Sequence, residues 1–452
     1  MTLPLEVLPF EEYMLRDDRP GYPMNTFARL RFSGPLERDA AEMAFQTALS
    51  RHPLLRAIVR PAAHGRLEWV AADPGPPPLV WCRGPCDGPF PPTGGIDLTA
   101  ESGLKGWVVE DGSRAVLVLQ FHHACCDGVG LLQVVEDFLL AYSSALPGPP
   151  GRNGLQRLEP HLLPGREAFG LTPQNGSRAL PAQATGLLGL RQLLTRHPIP
   201  LLAHEPTPFD PLPPGYPAVM TRQLPPAELR ALKQLAVRDG VTVNQRLIRD
   251  LFVAVDDFQA RYQPHAAEGW LRFSVPINLR EAKDRRLPAA NVVSMVFLDR
   301  RRAQIADPDR LLASIHHDLE LSRRLRLGLT FMWSISFFRA LPGGLDHMTM
   351  GERCVATCVI SNLGTVLRRT PLERQQGRIV AGNVVLEDMD ILAPLRPGTA
   401  AAFLIFCYAD ALCVSMHYDP RRLAREQATD LLDSFLRRVR APLAGQAGGS
   451  GV

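Results

Sequence analysis

The stretch Phe121-His122-His123-Ala124-Cys125-Cys126-Asp127-Gly128 constrains the fold of this chain more than any other. Ala115 to Phe121 is apolar apart from Gln120 and rich in Val and Leu, which reads as a buried strand. Beyond the stretch, Val129, Leu131, Leu132, Val135, Phe138 and Leu139 recur at helical spacing. Two histidines and an aspartate therefore stand where a buried strand turns into a helix. Asp127-Gly128 makes the turn, and Gly128 and Gly130 let the backbone bend and come close to a neighbour. Polar side chains at the exit of a buried strand cost free energy unless they are paired or used.

An imidazole titrates near neutral pH, so it can take a proton from an alcohol or amine as that group attacks. A carboxylate a few residues on, beside a tight turn, suits an orienting ion pair better than a nucleophile. The pattern His-His-x-x-x-Asp-Gly resembles the signature of the acyltransferase superfamily of nonribosomal peptide condensation domains, chloramphenicol acetyltransferase, wax ester synthases and related alcohol acyltransferases. The resemblance implies that His123 is the catalytic base. It implies that Asp127 faces away from substrate and holds the site through a salt bridge to an arginine. His122 and Gly128 then support the site, with His122 pointing away from His123.

The totals agree with an ordinary globular protein. The chain has 452 residues, 46% hydrophobic and 21% charged, a length that usually means two or more domains. A net charge of +4 gives no case for nucleic acid as a partner. The eight cysteines are scattered and form no disulfide framework. The N-terminus lacks a basic region followed by an apolar one, so no signal peptide is expected, and no uncharged apolar run reaches the roughly 20 residues of a membrane span. The expected compartment is the cytoplasm.

Along the chain, Phe27 to Phe32 alternates as a half-buried strand, and Leu36 to Ser50 reads as a helix closed by Arg51-His52-Pro53-Leu54-Leu55-Arg56. This opening resembles that of the same superfamily, and His52, at a helix end before proline, reads as structural. Residues 66–71 and 105–110 read as strands. Between them lie Cys82 and Cys86 in a Pro/Gly-rich connection; the pair is half a metal site at most, and no second pair with suitable spacing follows nearby. Residues 147–216 are dense in Pro and Gly, with a helix expected over Leu187 to Thr195. So long a connection is expected to pack over the surface or cover an entrance.

A strand from Ala218 to Leu224 opens the second half, and Pro225-Pro226 starts a helix through Val237. Thr242 can cap the next helix, Val243 to Tyr262; here the sequence resembles the Thr-Val-Asn-Asp helix start of wax ester synthases, with Gln245 in place of the Asp. Leu271 to Arg280 is a strand followed by Pro-x-x-x-Arg, and the resemblance carries to Arg280 the role of partner to Asp127. A strand is expected to begin at Asn291, and a helix to run from Asp307 to Arg324. The apolar Leu327 to Phe338 reads as a buried helix, a tunnel wall or a peripheral membrane contact. Thr357 to Gly364 ends a buried strand on Ser361-Asn362, and the resemblance makes Asn362 a candidate for binding substrate or an oxyanion; its plain role is a turn residue before Gly364. A hairpin (Ala401 to Tyr408, Ala411 to Tyr418) and a helix from Arg425 to about Val439 close the fold.

The resemblance implies an α/β fold of two chloramphenicol-acetyltransferase-like domains, residues 1–146 and 217–445, set as a V around a tunnel. Residues 446–452 are expected to be a disordered tail. The expected activity is a free-standing acyltransferase. It would move an acyl group from a thioester, on coenzyme A or a carrier-protein phosphopantetheine, to an alcohol or amine, with no bound cofactor and no metal. The absence of a Gly-x-Ser-x-Gly elbow fits a reaction without an acyl-enzyme, and the Asp-Phe-Gly-Trp-Gly element of plant-type acyltransferases is also absent. Two other readings stand beside it: a non-catalytic relative that binds an acyl ligand or carrier protein, and a metal-binding protein built on His122, His123, Cys125, Cys126 and Asp127. Adjacent residues at a strand end point to opposite faces, so at most about half of these could meet at one ion.

Overall fold

The structure is a computed structural model that describes residues 3–73, 75, 77–91, 93–147, 154–169, 185–202, 211–264, 269–349 and 354–444. The expected tail at 446–452 and parts of the 147–216 connection lie outside them. The motif strand runs from Arg114 to His122 and its helix from Gly128 to Ala145. Asn25–Ser33 pairs antiparallel with the whole motif strand, Asn25 opposite His122. Leu104–Glu110 lies on the other side, and Val80–Arg83 adds a parallel edge. This edge strand carries Cys82 and falls inside what the sequence presents as a connection. The Arg38–Arg51 and Gly128–Ala145 helices pack with the sheet, and Leu30, Phe45, Leu49, Leu117, Val134, Val135 and Phe138 belong to one core.

Among the described residues the second sheet has six strands in the order Val293–Arg301, Trp270–Asn278, Cys358–Thr365, Ala401–Tyr408, Ala411–Tyr418 and Val219–Leu224. Cys358–Thr365 runs parallel to both of its neighbours. The two-residue turn of the hairpin has Ala409 and Asp410 at φ 46° and 61°, the left-handed pair that matches the twist of antiparallel strands. The Pro226–Arg238, Val243–Tyr262 and Arg425–Ala444 helices pack over this sheet, with Leu247, Leu251, Phe258, Phe403 and Leu431 in its core. Thr242 caps its helix: its hydroxyl accepts from Gln245 N at 3.2 Å, and Gln245 Oε1 accepts from Thr242 N at 2.8 Å. Gln245 thus serves as the reciprocal cap at the position where the sequence departs from the wax ester synthase pattern.

The boundary expected near residue 215 does not separate the two sheets. Val384–Leu392, from the second half of the chain, pairs antiparallel with Asn25–Ser33 and brings Arg378–Ala381 and Arg374–Gln375 with it, so the first sheet has seven strands among the described residues. A fully buried carboxylate explains the register. Asp390 lies opposite Arg29 and accepts from Arg29 Nη2 at 2.6 Å and Arg31 Nη2 at 2.7 Å. Its other oxygen accepts from Thr221 Oγ1 at 2.5 Å, on the edge strand of the second sheet. Burial alone would raise the Asp390 carboxyl, and the two guanidinium groups hold it below the ordinary value instead.

The Gly328–Arg339 helix, expected as core, tunnel wall or membrane contact, buries Leu329, Met332 and Ile335 and leaves Phe337 exposed. Among the described residues no helix is long and apolar enough to cross a membrane. Removing the acceptor with Asp390→Ala leaves two guanidinium groups without their shared partner, and the expected loss is about 3–5 kcal/mol in chemical denaturation. Asp388→Ala, at a side chain 36% exposed, is expected to cost under about 1 kcal/mol by the same measurement.

Candidate functional site

The loop that joins the motif strand to its helix holds the two histidines in different surroundings. His122 is buried, its Nδ1 accepts from Ala124 N at 3.1 Å, and its Nε2 stands 3.5 Å from Asp18 Oδ2. It braces the loop from behind. His123 donates its backbone N–H to Met24 O at 2.6 Å and turns its ring into a cavity. Its Nδ1 is buried. Burial pushes the imidazole below its ordinary value, against the opposing pull of backbone carbonyls and of Asp127, so the ring is neutral at pH 7.

Asp127 is the N-cap of the motif helix. Its Oδ1 accepts from Val129 N at 3.1 Å and Gly130 N at 3.0 Å. Its Oδ2 accepts from Arg280 Nη1 at 2.6 Å and from Val292 N at 2.8 Å. Arg280 also donates Nη2 to Ala290 O at 2.8 Å. The two residues that the sequence singles out as partners are therefore joined, 153 positions apart. Burial would raise the Asp127 carboxyl, but Arg280 and the N–H groups of Gly130 and Val292 hold it below the usual carboxylate range.

Asn291 and His52 complete the clamp; the sequence reads His52 as structural but marks neither as a partner of these segments. Asn291, expected to begin a strand, precedes one that starts at Val293 and uses Nδ2 to bond His123 O and Ala124 O, each at 2.8 Å. His52 accepts at Nδ1 from Ala289 N at 2.9 Å and bonds Asp137 Oδ2 through Nε2 at 3.1 Å, tying the motif helix to the same segment. A Cβ added to Gly128 would stand 2.9 Å from Leu363 Cδ2, so glycine lets the start of the motif helix press against the second half.

The cavity has a volume of about 590 Å³, within the usual range for small-molecule sites. Met24, Thr26, His123, Asp127 and Gly128 line it from one half, and Ser274, Met295, Ser361, Asn362 and Leu363 from the other. Phe10, Tyr13, Phe331, Phe338 and Met348 give it a broad apolar wall. Asn362 also fills its turn role, its Oδ1 accepting from Gly364 N at 2.9 Å. The helix at 185–195 contributes Leu193 and Leu194, so the connection forms part of the wall. Buried Arg272 holds that helix through the carbonyls of Gln192 and Leu193, both at 3.2 Å, while it pairs with Asp299 at 2.6 Å.

Among the described residues no three His, Cys, Asp or Glu side chains stand together as a metal site. Burial pushes the Cys125 and Cys126 thiols well up, which leaves them protonated.

No family model and no curated protein matches this sequence. Solved structures do match over nearly the whole chain. The first condensation domain of the CDA synthetase aligns with a TM-score of 0.65 and 15% identity, covering 98% of this chain and 96% of that one. The fold is that of a condensation domain. Polyketide synthase associated protein 5 from Mycobacterium tuberculosis shares this condensation-domain fold, with a TM-score of 0.63 and 16% identity over 97% of this chain and 98% of that one. So does the trichothecene 15-O-acetyltransferase from Fusarium sporotrichioides, with a TM-score of 0.67 and 11% identity over 97% of this chain and 94% of that one. The fold class expected from the resemblance is thus the observed one.

The Asp127 clamp has a pH signature. A carboxyl held below its unfolded value near 3.9 stabilises the fold fully above that value and loses its contribution as the pH falls through the folded one. Acid titration of stability is expected to show this loss below pH about 4 in the wild type and a shallower slope in Asp127→Asn.

Proposed function

We propose that the chain is an acyltransferase that carries an acyl group from a thioester to an alcohol or amine, with His123 as general base. The observation that carries this reading is the placement of His123: a neutral imidazole, facing an apolar cavity between two halves, on a loop fixed by Asp127, Arg280 and Asn291. The likeness in fold to condensation domains and to an acetyltransferase supports the same chemistry.

The steps follow from the residues. The acceptor's O–H or N–H approaches His123, which takes its proton as the nucleophile adds to the thioester carbonyl. The carbonyl electrons move to oxygen, and the oxyanion is met by hydrogen-bond donors, for which Asn362 Nδ2 is a candidate because its Oδ1 is already engaged by Gly364. Collapse breaks the C–S bond, and the thiolate takes the proton back from His123. Asp127 acts through the loop: its carboxylate is committed to Arg280 and three backbone N–H groups and is not free to take a proton. The donor is coenzyme A or a carrier-protein phosphopantetheine thioester, and the apolar wall favours an apolar acyl chain or acceptor over a short polar one.

Thiol release from a panel of acyl-CoA and acyl-carrier thioesters, each with mixed alcohols and amines, tests the reading. Acceptor-dependent release by the wild type is expected to fall by about 10²–10⁴-fold in His123→Ala at unchanged melting temperature. Equal release by both proteins removes His123 from the mechanism. Donor binding without release in any mixture would favour a non-catalytic acyl- or carrier-binding protein. The acid limb of kcat/KM is expected to have its midpoint below pH about 6.5, because burial disfavours the protonated ring and the base stays competent into mildly acidic solution.

A further inference from the structure

The cavity holds a buried hydroxyl that the fold does not use. Thr26 is 5% exposed, lines the cavity, and its Oγ1 has no hydrogen-bond partner among the described residues. Its backbone is already part of the ladder with the motif strand, opposite Phe121. A valine would fill the same β-branched space without burying a polar atom that lacks a partner, so for folding alone the hydroxyl is a net cost.

The register says what it stands beside. Thr26 pairs with Phe121, and Met24 O takes the N–H of His123. Thr26 therefore stands on the strand beside the one that ends one residue before His123, and both residues line the same cavity. A cavity of about 590 Å³ accommodates a nucleophile in contact with the imidazole and the carbonyl it attacks. Resting on the acyl-transfer reading, we infer that Thr26 Oγ1 donates a hydrogen bond to the thioester carbonyl oxygen as it becomes the oxyanion. Oγ1 is buried in the structure, so presenting the hydroxyl to the carbonyl requires a turn about χ1. No proton is transferred by Thr26. The nucleophile's proton goes to His123, the new bond forms at the carbonyl carbon, and the C–S electrons leave with the thiolate, while the threonine hydroxyl stabilises the charge between those two events.

The test compares Thr26→Val and Thr26→Ser with the wild type in the thiol-release assay, together with thermal unfolding. Thr26→Val is expected to lose about 10²-fold in kcat at little change in KM, the pattern of a contact made only in the transition state. Thr26→Ser is expected to keep most of the activity, and Thr26→Val to unfold at the wild-type temperature or above it. Full activity in Thr26→Val overturns the inference, as does a raised KM with kcat unchanged. A lowered unfolding temperature in Thr26→Val that Thr26→Ser restores also overturns it, since the hydroxyl would then be a structural bond. A wild type inert toward every donor sinks acyl transfer and this inference together, whereas an active wild type matched by Thr26→Val sinks this inference alone.

Discussion

The carboxylate of Asp127 is the point on which the site depends. Two of its donors, Val129 N and Gly130 N, belong to the start of the motif helix, and two, Arg280 Nη1 and Val292 N, belong to the second half of the chain. One buried group thus starts a helix and joins two sheets. Charge-assisted bonds of this kind are about twice as strong as neutral ones, and leaving any partner unpaired in the interior is costly. The loop that carries His123 hangs between these anchors, and Asn291 holds its carbonyls from the same side.

The chemistry at His123 follows from where the protein withholds and supplies polar contacts. The apolar wall disfavours the imidazolium, which favours the neutral ring. The neighbouring aspartate is saturated with donors, so its charge serves geometry. His122 is occupied by Ala124 N and faces Asp18, on the other side of the loop. Of the two adjacent histidines, only His123 meets the cavity.

Much of this is legible in the sequence because its signals are local. The switch from a buried strand to a helical period at Asp127-Gly128 marks the turn, and Thr242 marks a helix start. Arg280 is reachable only through resemblance, since nothing in Pro-Ile-Asn-Leu-Arg itself names a partner 153 residues away. What stays hidden depends on long-range pairing. Val384–Leu392 carries Glu387, Asp388 and Asp390, and its place in the first sheet shows only once Arg29 and Arg31 stand opposite. Asn291 looks like the first residue of a strand, and its bonds to two carbonyls of the motif loop have no local mark. Thr26 is an ordinary β-former whose hydroxyl becomes notable only once its surroundings are known.

The crossing strand has a consequence for how the chain is made. Asn25–Ser33 is an inner strand of the finished sheet, yet its partner Asp390 lies 361 residues after Arg29. Until that segment has left the ribosome, the first sheet presents an open edge with two uncompensated arginines. An unpaired edge invites pairing with other chains, and contacts so distant in sequence form slowly. The positive charges of Arg29 and Arg31 on that edge repel a second copy of the same edge during the interval, so the groups that later lock the sheet also protect it while it waits.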